Sequence, residues 1–161
     1  MYGYDLYPPE TNPFNYIWYI PLICRFGNNS NKFDLYQRFL LDRQTTNYSF
    51  GNQYYTYYYC NQDFAGYYIM DYTDDNWQGL SEAINVNTQL KDIDRANLLN
   101  NAFMGTQTLD ESYLVVREMT QFLFRPTAYT GLLSWQTLSY HVNRMLDVLD
   151  FESLFTVVQV R

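Results

Sequence analysis

A chain of 161 residues with 47% hydrophobic side chains is long enough to bury a core. Its net charge of −7 argues against nucleic acid or an anionic membrane surface as partner, since both require a basic footprint. One residue in five is aromatic, and 18 of these are tyrosine, a residue suited to strands and half-wet faces, with an aromatic ligand platform as the alternative.

Asp5, Glu10, Asp34 and Asp42 balance Arg25, Lys32, Arg38 and Arg43, so the whole acidic excess lies after Cys60. An acidic helical surface there either attracts basic peptides or keeps a solvated face soluble. Met1–Asp5 lacks the basic start and apolar run of a secretory leader. The most apolar early run, Tyr16–Ile23, is interrupted by Pro21 and is too short to cross a bilayer. The expectation is a cytosolic chain or a piece of a longer one, and the compartment stays open.

Residues 1–72 read as strands. Pro8-Pro9 and Pro13 mark an irregular entry. Tyr16, Trp18 and Ile20 alternate with Ile17 and Tyr19, and Pro21 is expected to close that strand. Phe33 and Leu35 alternate with Asp34 and Tyr36 and lead into Phe39-Leu40-Leu41. Tyr54–Cys60 is nearly all β-forming, and Tyr67, Ile69 and Asp71 oppose Tyr68, Met70 and Tyr72 in a last strand. Gly/Asn turn clusters at residues 27–31, 47–49 and 51–52 separate these runs. Short strands at such spacing predict an antiparallel, immunoglobulin-like sandwich. Cys24 and Cys60 each fall in a strand, where they either bridge the sheets or stay as buried thiols. Asn28-Asn29-Ser30 and Asn47-Tyr48-Ser49 match the N-glycosylation acceptor pattern, but about two matches are expected by chance in a chain this rich in Asn, Ser and Thr.

Residues 73–161 read as helices. Asp74-Asp75 is expected to cap a short helix through Trp77, Leu80 and Ile84. Asp92 or Asp94 opens the next, with Leu98, Leu99, Ala102 and Phe103 at helical spacing and Gly105 as its stop. Thr108-Leu109-Asp110-Glu111 matches a capping box before Tyr113, and Pro126 interrupts the chain. A helix from about Leu133 to Leu149 places Leu138, Val142, Met145, Leu146 and Leu149 on one side. Phe151–Val160 forms a last helix or a strand. Short loops predict antiparallel neighbours, and the fold class is α+β.

Several of these stretches resemble the junction between sandwich and helical domain in aminopeptidase N-like zinc metallopeptidases. Tyr16, Trp18 and Pro21 match the family's Tyr-x-Trp-x-x-Pro strand. Gly66, Tyr67, Tyr68 and Tyr72 match its Gly-Tyr-Tyr-Arg-Val-Asn-Tyr strand, with Ile69 for the arginine and Asp71 for the asparagine. Trp77 matches the tryptophan of the following helix. Arg95, Ala96, Leu98, Ala102 and Phe103 match a helix opening Arg-Ala-x-Leu-x-x-Asp-Ala-Phe, with Asn101 for the aspartate. Phe122-Leu123, Tyr129 and Trp135 match a later stretch loosely, and Pro126 stands where the family has an acid. These are structural positions in the family, so no catalytic, metal or cofactor-binding residue is assigned.

The resemblance implies a sandwich over residues 1–72 and the start of a superhelical domain over residues 73–161. The family's catalytic domain, which holds the zinc, would lie upstream. Neither His-Glu-x-x-His nor Gly-x-Met-Glu-Asn occurs, and His141 is the single histidine. It reads as a helix-surface or interface residue rather than a metal ligand. Cysteine chemistry would need Cys24 or Cys60 beside it. The implied function is a non-catalytic region that scaffolds a peptidase catalytic domain and shapes peptide access. The alternative is a free-standing, catalytically dead paralogue that binds peptides or proteins. An unrelated immunoglobulin-like interaction domain is a third reading. An incomplete sheet edge would favour self-association.

Overall fold

The computed structural model describes residues 19–28, 33–41, 55–86, 90–108, 113–125 and 131–149. They are α+β, and they divide into two compact units, Met1–Asn87 and Thr88–Arg161. In the first, β1 (Ile20–Gly27), β2 (Phe33–Leu41) and β3 (Tyr57–Cys60) form one antiparallel sheet in the order β2-β1-β3. Leu22, Cys24 and Phe26 are buried while the residues between them are more exposed, the two-residue period of a sheet with one covered face. A two-sheet sandwich is not seen among the described residues.

The first strand differs from expectation. It begins at Ile20 and runs through Pro21 to Gly27, whereas Tyr16–Trp18 lie outside the described residues. A proline is tolerated there because β3 faces only Cys24–Gly27, so among the described residues the strand at Pro21 has β2 as its one neighbour and behaves as an edge. Cys24 stands directly opposite Cys60 across β1 and β3, and the two are disulfide-bonded. The bridge thus ties neighbouring strands of one sheet rather than two sheets.

Residues 67–72 also differ. Met70 and Tyr72 are buried while Tyr67, Ile69 and Asp71 are exposed, so the expected alternation is present. Yet the segment pairs with no strand among the described residues. Its backbone is held by a side chain instead. Asn61 Nδ2 donates to the carbonyls of Gly66 (2.9 Å) and Tyr68 (3.4 Å), and Asn61 Oδ1 accepts from the Gly66 N–H (2.7 Å). Asn61 adopts φ 65° and ψ 42°, the left-handed region that asparagine tolerates better than most residues.

The helix α1 (Asp74–Val86) packs on β3. Asp74 and Asp75 lie inside its first turn, where they suit the positive helix end, while the Thr73 carbonyl accepts the first helical bond from Trp77 N–H at 2.9 Å. Trp77, Leu80, Ala83 and Ile84 are buried, the 3.6-residue stripe expected of a helix lying on a sheet. Gly79 sets how close it lies. A β-carbon there would stand 2.5 Å from the Thr56 carbonyl oxygen and 3.0 Å from Tyr57 Cβ.

In the second unit, α2 (Asp92–Thr108) packs against both α3 (Tyr113–Thr120) and α4 (Leu132–Leu149). Its buried residues include Leu98, Leu99, Ala102 and Phe103 together with Asp94, Arg95, Asn97 and Asn101, as befits a helix covered on several sides. Gly105 does not end it. The helix continues to Thr108 with Gly105 buried, since an interior glycine costs only about 1 kcal/mol and packing can offset that. Leu109–Ser112, Pro126 and Phe151–Val160 lie outside the described residues, and with them the capping box and the last element.

Helix α4 starts one residue earlier than expected, and its covered stripe differs in part from expectation. Ser134 and His141 have no exposed surface, Leu138 and Met145 are half-buried, and Val142 is exposed. The covered stripe takes in Leu138, Met145 and Leu146 as expected, with Ser134 and His141 covered and Val142 not. None of the helices is long and apolar enough to cross a membrane, among the described residues.

Gly79→Ala is expected to force α1 away from β3 and to lower stability by about 1–3 kcal/mol, the usual cost of overpacking. Urea denaturation followed by tryptophan fluorescence measures this. An unchanged midpoint would show that the helix approach is not set at Gly79.

Candidate functional site

A β-strand leaves every second residue's N–H and C=O pointing out of the ladder on its far side. On β3 these outward groups belong to Tyr58 and Cys60, and side chains meet both groups of Tyr58 and the N–H of Cys60. The Asn76 amide meets Tyr58 twice: Oδ1 accepts from its N–H and Nδ2 donates to its carbonyl, each at 2.9 Å. The Tyr72 phenol oxygen accepts from the Cys60 N–H at 3.0 Å. A primary amide copies the donor–acceptor pair of a neighbouring strand, so this sheet edge is closed without one.

An aromatic chain lines the same place. Phe26 stacks on Tyr58 (5.8 Å between ring centres), Tyr58 meets Tyr72 edge-on (5.6 Å), and Tyr72 meets Trp77 edge-on (4.9 Å, 90°). The Trp77 indole N–H donates to Asp71 Oδ1 at 3.4 Å. Burial pushes the Tyr72 phenol far above the tyrosine range. It raises Tyr58 too, helped by the Asp71 carboxylate. Both phenols are therefore held in their neutral form.

The residues matched to the family's strands and first helix fall here. Pro21 lies in β1, and its carbonyl accepts from the Tyr68 hydroxyl at 3.2 Å. Gly66 is gripped by Asn61, Tyr67 is fully exposed, and Tyr72 and Trp77 are buried. Tyr16 and Trp18 are outside the described residues.

The other matched residues lie within the second unit. Arg95 is buried on α2. Its Nε donates to the Leu90 carbonyl (3.1 Å), and its guanidinium lies 5.1 Å from the Phe122 ring centre. Leu98, Ala102 and Phe103 are buried and Ala96 is half-buried. Phe103 stacks on His141 with ring centres 4.6 Å apart and planes 3° from parallel.

His141 is an interface residue between α2 and α4, not a surface one. Its Nε2 pairs with Asn100 Oδ1 at 3.0 Å, which makes Nε2 the donor, and the buried Nδ1 has no hydrogen-bond partner among the described residues. No group of three or more His, Cys, Asp or Glu side chains that could hold a metal occurs among the described residues. The single imidazole, committed to Asn100 and Phe103, does not fit a hydrolytic zinc centre.

Asp92 has a role that sequence patterning missed. From the first turn of α2 its carboxylate accepts from the backbone N–H groups of Leu133 (2.8 Å) and Ser134 (3.1 Å), and from the Ser134 hydroxyl (2.6 Å). It thus caps α4 from another helix. Gly131 makes this possible, because a β-carbon there would collide with the carboxylate. A glycine at the start of a helix with no cap of its own is the sequence signal. Asn61 and Asn76 were equally missed, and nothing local marks either.

The chain is 36% identical over 153 residues to Endoplasmic reticulum aminopeptidase 1 of Mus musculus, covering 91% of this chain and 15% of that protein. It is 30% identical over 143 residues to Aminopeptidase Ey of Gallus gallus, covering 88% of this chain and 14% of that protein. It is 34% identical over 96 residues to Endoplasmic reticulum aminopeptidase 1 of Homo sapiens, covering 59% and 9%. No protein-family model matches.

Asn76→Ala leaves the Tyr58 N–H and C=O unmet. It is expected to destabilise the first unit by about 1–3 kcal/mol and to expose a pairing-competent edge. Urea denaturation and sedimentation velocity measure the two effects, with the exposed Asn143→Ala as a control that should change neither.

A second prediction concerns pH. Burial, with a smaller contribution from the Arg144 guanidinium, holds the His141 imidazole below the ordinary histidine value of 6.5. The unfolded chain then binds a proton that the folded chain refuses, so this contribution is complete above about pH 6.5. It is lost as pH falls toward the depressed folded value. The melting temperature is expected to drop from pH 7.5 to 5.5 and to drop less in His141→Gln. Equal drops in both proteins would refute this role.

Proposed function

Because this chain is homologous to one segment of aminopeptidases, we propose that it is a non-catalytic junction that scaffolds a peptidase catalytic domain and shapes peptide access. The observation that carries this reading is the match to two aminopeptidases over 88% and 91% of the chain. The chain spans only 14% and 15% of those relatives, so the activity belongs to a longer assembly.

In this reading the three-stranded sheet is part of an immunoglobulin-like sandwich, and α2–α4 begin a superhelical domain. Zinc is held by a catalytic domain outside this chain. The local chemistry is consistent with it. Asn76, Tyr72 and Arg95 spend their polar groups on backbone partners, and His141 Nε2 on the Asn100 amide. The strand β2 has one strand neighbour among the described residues, and an isolated chain would be prone to associate through such an edge.

The test is a replacement. The matching segment of the mouse relative is exchanged for this chain, and hydrolysis of an amino-acid anilide and of longer peptides is compared. The expected result is retained anilide hydrolysis with a changed preference among peptides. The isolated chain, supplied with zinc, is expected to leave the anilide intact. Hydrolysis by the isolated chain would overturn the reading. So would a folded chimera with an unchanged peptide preference. Tight peptide binding by the isolated chain in native mass spectrometry would favour the free-standing binding module instead.

A further inference from the structure

Residues 67–72 bury Met70 and Tyr72 on one side and turn Tyr67, Ile69 and Asp71 outward. We propose that this outward face docks an extended, arginine-bearing peptide, with Phe64, Tyr67 and Ile69 as apolar contacts and the neighbouring carboxylates as charge partners. The inference rests on the peptide-access reading and names the class of peptide.

Tyr67 is fully exposed, and Ile69 and Phe64 are 46% and 47% exposed. Single exposed apolar side chains are ordinary, whereas three within six residues form a patch. Phe64 is also held at φ 55°, in the left-handed region, which is costly for a bulky residue. Presenting this ring to solvent thus works against the fold. The backbone of the patch is set in advance. Asn61 holds the Gly66 N–H and the carbonyls of Gly66 and Tyr68, and Asp71 Oδ1 accepts from the Tyr72 N–H at 2.8 Å. A face ordered before its partner arrives loses less entropy on binding.

Charge selects the occupant. Asp63, Asp71, Asp74 and Asp75 are exposed, and the sequence has no Lys or Arg between Arg43 and Lys91. An acidic peptide would be repelled. Outward side chains at every second residue match the two-residue period of an extended partner. Arginine suits this mixture best, since its guanidinium pairs with carboxylates and stacks on aromatic rings. Each contact is solvent-exposed and small, so the affinity is micromolar, short of the tight capture that would mark a free-standing module.

The test uses the whole chain and fluorescein-labelled peptides with leucine at alternate positions and arginine, glutamine or glutamate between. Fluorescence anisotropy is expected to show micromolar binding of the arginine peptide that weakens with added salt. The glutamine peptide should bind about tenfold more weakly and the glutamate peptide not at all. Tyr67→Ser and Asp71→Asn should each weaken the arginine peptide several-fold. Phe64→Gly should weaken it while raising the urea midpoint, since glycine accepts that φ; a merely structural residue would not separate the two readouts. Equal affinity for the arginine and glutamate peptides, or an affinity unmoved in Tyr67→Ser, would overturn the proposal. So would loss of self-association by Tyr67→Ser in sedimentation velocity with peptide affinity intact, which would give the face to a second copy. Binding is read on this chain and hydrolysis on the chimera, so the failure of one leaves the other standing.

Discussion

The arrangement of the first unit depends on a single side-chain amide placed against a strand. With four residues, β3 is too short to hold a sheet edge closed by itself, and the Asn76 amide occupies the place a further strand would take. Asn76 lies in the first turn of α1, and its neighbour Trp77 is the residue that meets Tyr72. One turn of helix therefore satisfies the strand's polar groups and covers its apolar ones together. The change from sheet to helix is made by this contact, with Gly79 removing the side chain that would otherwise hold the helix off.

How much of this was legible follows from what a sequence pattern reports. The alternation read in residues 67–72 is present, with Met70 and Tyr72 covered, whereas the alternation in residues 22–26 went unread because Pro21 was expected to close the strand. Alternation could not tell which backbone groups pair, so residues 67–72 read as a strand although Asn61 holds them. The helical periods located α1, α2 and α4 well. On α4 the expected Leu138, Met145 and Leu146 are half-buried, but the best-buried positions are Ser134 and His141 and Val142 is exposed, so hydrophobicity alone misses the polar centre of the covered face. Asn76 and Asp92 were illegible because their partners are backbone groups on separate elements, and Asn61 because the segment it holds, five to seven residues on, has no regular pairing.

The second unit shows what a polar helix in a small core requires. Asp94, Arg95, Asn97 and Asn101 are all buried on α2 beside Leu98, Leu99 and Phe103, and buried polar groups are costly unless they are met. Arg95 illustrates the solution, with a carbonyl for its Nε and an aromatic face for its charge. Such partners are directional, so they fix the rotation of α2 about its own axis more sharply than leucine packing would. The family resemblance at Arg95-Ala96 thus falls on residues that orient a helix.

The cap that Asp92 provides joins residues 41 and 42 positions apart. Its cost is the entropy of closing a loop of that length, incurred before the bond exists. The first turn of helix α4 therefore owes its cap to a carboxylate outside its own sequence, and a fragment carrying α4 without α2 would lack it.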